Sequence, residues 1–148
     1  MASFGLGHVG LNVTDIARST AFYRDVVGFD VLTESIEGDR RFVFLGVDGA
    51  LALTLWQQSA GEFGTDRPGL HHLALLVDDI DAVRAAEARV RAAGITPLHD
   101  GVVPHREGGS SGGIFFTDPD GIRVEIYSPA GADVAAAPYG DAPTCGFF

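Results

Sequence analysis

The stretch His8-Val-Gly-Leu-Asn-Val-Thr-Asp-Ile16 returns as His72-Leu-Ala-Leu-Leu-Val-Asp-Asp-Ile80, with His, Leu, Val, Asp and Ile in matching places. The chain is therefore a module used twice. Successive side chains of a strand point to opposite faces, so each copy has a core face and an opposite one. Val9, Leu11 and Val13 are expected against a following helix, and Leu73, Leu75 and Val77 against its counterpart. His8 and His72 then fall on the opposite, concave faces.

Thr14 and Asp15 offer N-caps to an amphipathic helix over 16–27 that Gly28 ends, and Asp78 and Asp79 do the same for a helix over 80–93 that Gly94 ends. β-type runs follow each helix, at 30–35, 41–45 and 50–57 and then at 96–99, 114–117 and 122–128. Both last hairpins turn at Asp-Gly, 48–49 and 120–121, where glycine supplies the positive φ of a tight turn. The pattern predicts β-α-β-β-β twice: module one about 5–57, a linker at 58–69, module two about 70–128 and a C-terminal tail at 129–148, within one domain. The Gly- and Ser-rich segment 101–113 reads as a mobile loop, with 108–113 as a lid. The aperiodic tail is expected either to wrap over a partner or to stay disordered.

At 148 residues and 46% apolar side chains, the chain can bury one ordinary core. A formal charge of -10, without a single lysine, argues against nucleic acid and anionic membranes as partners. No apolar run approaches the roughly 20 residues of a membrane span, so a cytoplasmic protein is expected. The one cysteine, Cys145, has no internal partner for a disulfide, which agrees with a reducing compartment. A thiol nucleophile there is not favoured.

In Ile122-Arg-Val-Glu-Ile-Tyr127, alternation sets Ile122, Val124 and Ile126 on one face and Arg123, Glu125 and Tyr127 on the other. Glu125 must face a polar or occupied space. Two imidazoles and a carboxylate on separate strands suit a divalent ion such as iron, manganese, nickel or zinc, with positions left open for water or substrate.

These residues carry a resemblance. The repeated His8-Val-Gly-Leu and His72-Leu-Ala-Leu strands, with Asp118-Pro-Asp-Gly-Ile-Arg-Val-Glu125 near the end, resemble the vicinal oxygen chelate superfamily over residues 8–128. That superfamily includes glyoxalase I, bleomycin-resistance proteins, fosfomycin-resistance thiol transferases and type I extradiol dioxygenases. The resemblance implies an α+β fold in which two βαβββ modules form an open, barrel-like mixed sheet around a cavity. It places metal ligands at His8, His72 and Glu125. It also implies a homodimer with sites shared between chains, so that His8 can join His72 and Glu125 of the partner subunit.

Two departures bear on the chemistry. Aligning Leu51-Ala-Leu-Thr54 with Val124-Glu-Ile-Tyr127 puts Ala52 where glyoxalase I-like members carry a further glutamate. Phe115 stands ten residues before Glu125, where dioxygenases and fosfomycin transferases usually carry a tyrosine. Phenylalanine cannot supply that phenol's hydrogen bond.

Thr54, Trp56, Phe115, Arg123 and Tyr127 are the candidate substrate-binding residues. Arg123 either binds an anionic substrate, orients the carboxylate, or is simply an exposed charge. His99 and His105 are loose candidates for a further active-site histidine, and His71, one residue out of register, is expected to turn away from the site. No catalytic acid or base is assigned. The expected function is that of a small metalloenzyme, a lyase, isomerase or oxygenase acting on an oxygenated or aromatic substrate. The alternative is a metal-free protein that sequesters an antibiotic, as bleomycin-resistance members do.

Overall fold

The computed structural model describes residues 1–148. Two compact units emerge, Met1–Glu62 and Phe63–Phe148. Each repeats the βαβββ order, giving the α+β class expected, with two open, four-stranded mixed sheets.

In the first unit β1 (Val9–Val13) leads into α1 (Ile16–Ala21), and β2 (Asp30–Ser35), β3 (Phe42–Val47) and β4 (Ala50–Gln57) follow. The sheet order is β1-β4-β3-β2, with β1 parallel to β4 and the other pairs antiparallel. Asp15 caps α1, its Oδ1 accepting from Arg18 N at 3.0 Å. The expected helix over 16–27 does not stay α-helical. From Phe22 to Val27 it widens into a π-helix, buries Phe22, Tyr23 and Val26, and ends with Gly28 and Phe29 both donating to Tyr23 O. Leu11, Val13, Tyr23, Val43, Leu45, Leu53 and Leu55 form the apolar layer between sheet and helix. Asp48 and Gly49 both take positive φ, 50° and 78°, and connect the paired Val47 and Ala50 as a two-residue hairpin loop of the expected kind.

The second unit comprises β5 (Leu73–Leu76), α2 (Ile80–Ala92), β6 (Val103–Pro104), β7 (Gly112–Thr117) and β8 (Arg123–Ser128), in sheet order β5-β8-β7-β6. Asp79 Oδ1 caps α2 at Ala82 N, 2.8 Å. Val83, Ala86 and Val90 of α2 are buried, as are Ile114, Phe116, Val124 and Ile126 of the sheet.

Three expectations are corrected here. Residues 96–99 form no strand; Leu98 N donates one bond to Phe115 O, and the pairing with β7 is made instead by Val103–Pro104. Proline at 97 and 104 limits the donors available, which keeps this edge short. The segment 101–113 is not a free loop: His105 N donates to Ser111 O, Gly109 N to Arg106 O and Ala132 N to Ser110 O. The turn at Asp120-Gly121 is longer than its counterpart, because Thr117 pairs with Arg123 and Asp118 Oδ1 gathers the N–H groups of Asp120 and Ile122 at 2.9 and 2.8 Å.

The tail is also placed. Thr144 is fully buried, donates through Oγ1 to Pro104 O at 2.7 Å and through N to His105 O at 2.8 Å, and begins a short 3-10 turn over Thr144–Gly146. Further back, Ala137 N donates to Glu107 Oε2 and Glu107 N to Gly140 O. No helix is long and apolar enough to cross a membrane.

Candidate metal centre

The centre of the second unit is Glu125, 2% exposed on β8. Parallel pairing of β5 with β8 sets Ala74 opposite Glu125, and His72, just before β5, reaches the same carboxylate. His72 Nε2 lies 3.5 Å from Glu125 Oε2. His105 Nε2–H donates to Oε1, while its Nδ1 bonds Ser111 Oγ at 2.8 Å. A carboxylate oxygen only accepts, so the hydrogen on His105 must be at Nε2 toward Glu125, and Ser111 O–H then donates to Nδ1. Cys145 Sγ is the third potential ligand at this point: it, His72 and Glu125 offer atoms all within 4.8 Å of one another.

His71 does not turn away as expected. Its Nδ1 lies 2.9 Å from His72 Nδ1, and Arg123 Nη1 lies 3.5 Å from its Nε2. One set of donors satisfies the two bonds: Arg123 donates to His71 and His71 to His72, whose Nε2 then faces Glu125 at 3.5 Å without a hydrogen bond. Binding an ion at His72 Nε2 requires the other tautomer, with the His72 hydrogen on Nδ1.

Burial lowers the pKa of His72; Glu125 opposes this, and His71, Arg123 and His105 add to the lowering. The neutral imidazole that results is the form that ligates a metal. Burial likewise pushes the Cys145 thiol up, and the Glu125 carboxylate pushes in the same direction. Burial also lowers the pKa of His99, whose Nε2 has no hydrogen-bond partner and whose ring packs edge-on to Phe115 and Tyr139.

Of the remaining candidates in this unit, Phe115 pairs directly with Glu125 and is fully buried. The Tyr127 ring lies 5.2 Å from that of His105. Arg123 sets its guanidinium 5.7 Å from the centre of the Phe148 ring. A cavity of about 410 Å³ borders His105, Arg106, Ser110, Ser111 and Asp141.

Thr54 and Trp56 stand together in the first unit. Trp56 Nε1 donates to Thr54 Oγ1 at 2.9 Å, and the indole packs against Phe42 and Phe44. His8 lies exposed just before β1.

Strand register corrects the alignment of the two modules. Val9 pairs with Leu53 and Gly10 with Thr54, as Leu73 pairs with Val124 and Ala74 with Glu125. The first module's counterpart of Glu125 is thus Thr54, not Ala52. The match is fixed by pairing with β1 and β5, which counting along β4 and β8 does not reproduce. The position still holds no carboxylate.

From the sequence His105 is only a loose candidate for a further active-site histidine, Ser111 and Phe148 are not candidates, and Cys145 enters only as an unfavoured nucleophile. The signal for His105 was faint, a single histidine in a Gly- and Ser-rich segment. Phe148 and Cys145 carried none, because they arrive through long-range packing of the tail.

The chain belongs to the Glyoxalase/Bleomycin resistance protein/Dioxygenase superfamily, whose family model matches residues 5–126. It is 36% identical over 132 residues to the lactoylglutathione lyase of Haemophilus influenzae, covering 80% of this chain and 88% of that one. It is 29% identical over 126 residues to the catechol-2,3-dioxygenase of Bacillus subtilis, which covers 83% of this chain but only 41% of the dioxygenase. Among solved structures, the glyoxylase/bleomycin resistance protein/dioxygenase domain from Frankia sp. EAN1pec matches with a TM-score of 0.71 at 25% identity, over 86% of this chain and 93% of that one. The relatives thus include enzymes of different reactions.

Proposed function

We propose that the chain is a metal-dependent enzyme of this family, acting on a small oxygenated or aromatic substrate. The reading takes His72 and Glu125 as ligands of a divalent ion, iron, manganese, nickel or zinc, with His8 as the third, from the same chain or from a partner subunit in a homodimer. One observation carries it: Glu125 is 2% exposed, with an imidazole nitrogen near each carboxylate oxygen. Burying a carboxylate is costly unless a cation or donors compensate, and imidazole with carboxylate is the donor set of such ions.

When bound, the ion supplies Lewis acidity toward a substrate oxygen. The chain's own residues do the rest. His105, fixed by Ser111, holds the Glu125 carboxylate in one orientation and can carry a proton at Nε2. Arg123, two residues from Glu125 on the same face, can pair with an anionic substrate group. Phe115 and Tyr127 give the site an aromatic wall, and Thr54 and Trp56 are the substrate-binding candidates of the first unit. Phe115 offers no phenol, so a reaction needing an acid at that position must draw its proton from elsewhere, and His105 is the nearest such group to Glu125 in the chain.

A protein that only sequesters an apolar drug has no need of a buried carboxylate between imidazoles. Equilibrium dialysis against manganese and zinc separates the readings: saturable binding lost in Glu125→Gln supports the enzyme. Absence of binding, with tight uptake of an aromatic antibiotic, contradicts it.

A further inference from the structure

We propose that Cys145 is a resting-state metal ligand, carried on the tail, that closes the coordination position a substrate must use. The inference rests on the reading of His72 and Glu125 as ligands and goes beyond it by adding a fourth group from a segment outside both modules.

Cys145 Sγ, the His72 nitrogen and a Glu125 oxygen lie within 4.8 Å of one another, a spacing that one ion can bridge with small side-chain movements. The thiol is held there by structure on both sides. Thr144, its neighbour, is fully buried and bonded twice, to Pro104 O and His105 O. On the other side, the Phe148 ring lies 5.3 Å from the His72 ring and 5.1 Å from the Phe115 ring, with Arg123 against it. Glu107 ties the preceding stretch down through Ala137 and Gly140. The tail thus places a soft donor and an aromatic cover at the carboxylate.

A zinc-type ion takes four ligands, and a catalytic site keeps one position open for water or substrate. His72 and Glu125 would leave such a position free, and Cys145 is placed to fill it. With an ion held there, Cys145 would occupy a position that water or substrate would otherwise take, and Phe148 would cover it. Loss of Cys145 should open the site rather than destroy it.

Cobalt(II) titration of the metal-free full chain tests this, because thiolate ligation gives an intense near-ultraviolet charge-transfer band that nitrogen and oxygen donors do not. The wild type should show the band. Cys145→Ser and Cys145→Ala should lack it yet still bind cobalt, about tenfold or more weakly. Iodoacetamide should alkylate Cys145 in the metal-free protein and be slowed by cobalt. Two variants of different size, each checked by circular dichroism, guard against misfolding. Cobalt binding without the band, or with identical spectra in wild type and variants, overturns the role of Cys145 and leaves the His72 and Glu125 reading standing. Failure of the wild type to bind cobalt at all overturns both.

Discussion

Glu125 Oε2 faces His72 Nε2 at 3.5 Å, across the parallel pair of strands that the duplicated module creates. This geometry follows from register, because Ala74 opposite Glu125 brings the residue two before it to the same carboxylate. A tight ion pair is not what the pair forms, since burial lowers the pKa of His72 and favours the neutral ring. A neutral imidazole beside a buried carboxylate is the arrangement a divalent ion completes.

His105 should matter for metal affinity without being a ligand. It holds Glu125 Oε1 and is itself held by Ser111. Removing such a supporting group typically costs about 10–100-fold in affinity. His105→Ala is therefore expected to weaken manganese or zinc binding by that range in a calorimetric titration, and Ser111→Ala by less. Unchanged affinity in both would remove His105 from the site.

The first unit offers its own optical probe, since Trp56 is the only tryptophan. Thr54→Val removes the acceptor of the indole N–H and should cost about 1 kcal/mol in urea unfolding. It should also shift the emission of the native protein. A variant with wild-type stability and emission would show that the bond contributes nothing.

Gly113 pairs with Tyr127 beside the site, and a Cβ there would lie 1.9 Å from Ile126 O. The neighbour is backbone, so relief requires β7 and β8 to separate. Gly113→Ala should destabilise the protein by about 3 kcal/mol, at the upper end for overpacking. Gly108→Ala, where nothing lies within 4 Å but φ is +70°, tests strain without the clash and should cost less. Equal costs would contradict the close approach.

Stability should fall on the acid side partly through His99. The unfolded imidazole takes its proton near pH 6.5, whereas burial lowers the folded value. Between the two, the unfolded chain binds more protons, so stability is present above the unfolded pKa and is lost as pH falls through the window. His99→Phe keeps a ring against Phe115 and Tyr139 and should show a shallower loss of melting temperature from about pH 7.5 to about pH 5.5. An unchanged slope would exclude His99 as a source.

Much of this was legible because it is periodic. β4 falls where its alternation places it, and the Asp48-Gly49 turn is the one its residues require. Glu125 could be set on the face opposite Val124 and Ile126 from alternation alone. What failed was set by distance along the chain or by strand register. Thr54, rather than Ala52, matches Glu125 because each is set by its pairing with the first strand of its module, Gly10 with Thr54 and Ala74 with Glu125. The strand expected over 96–99 lost its place to Val103–Pro104, since edge pairing depends on what β7 offers. The loop around His105 and the tail around Cys145 look mobile by composition, and are fixed by bonds from Ser111, Pro104 and Glu107 that no local pattern announces.

The central claim is that His72 and Glu125 hold a metal ion. Elemental analysis of the full chain purified without chelators tests it most directly. About one divalent ion per chain is expected in the wild type, lost in folded His72→Ala and Glu125→Gln variants. Metal-free wild type in every preparation, even after incubation with manganese, iron, nickel and zinc, or variants that keep the full content, would contradict it.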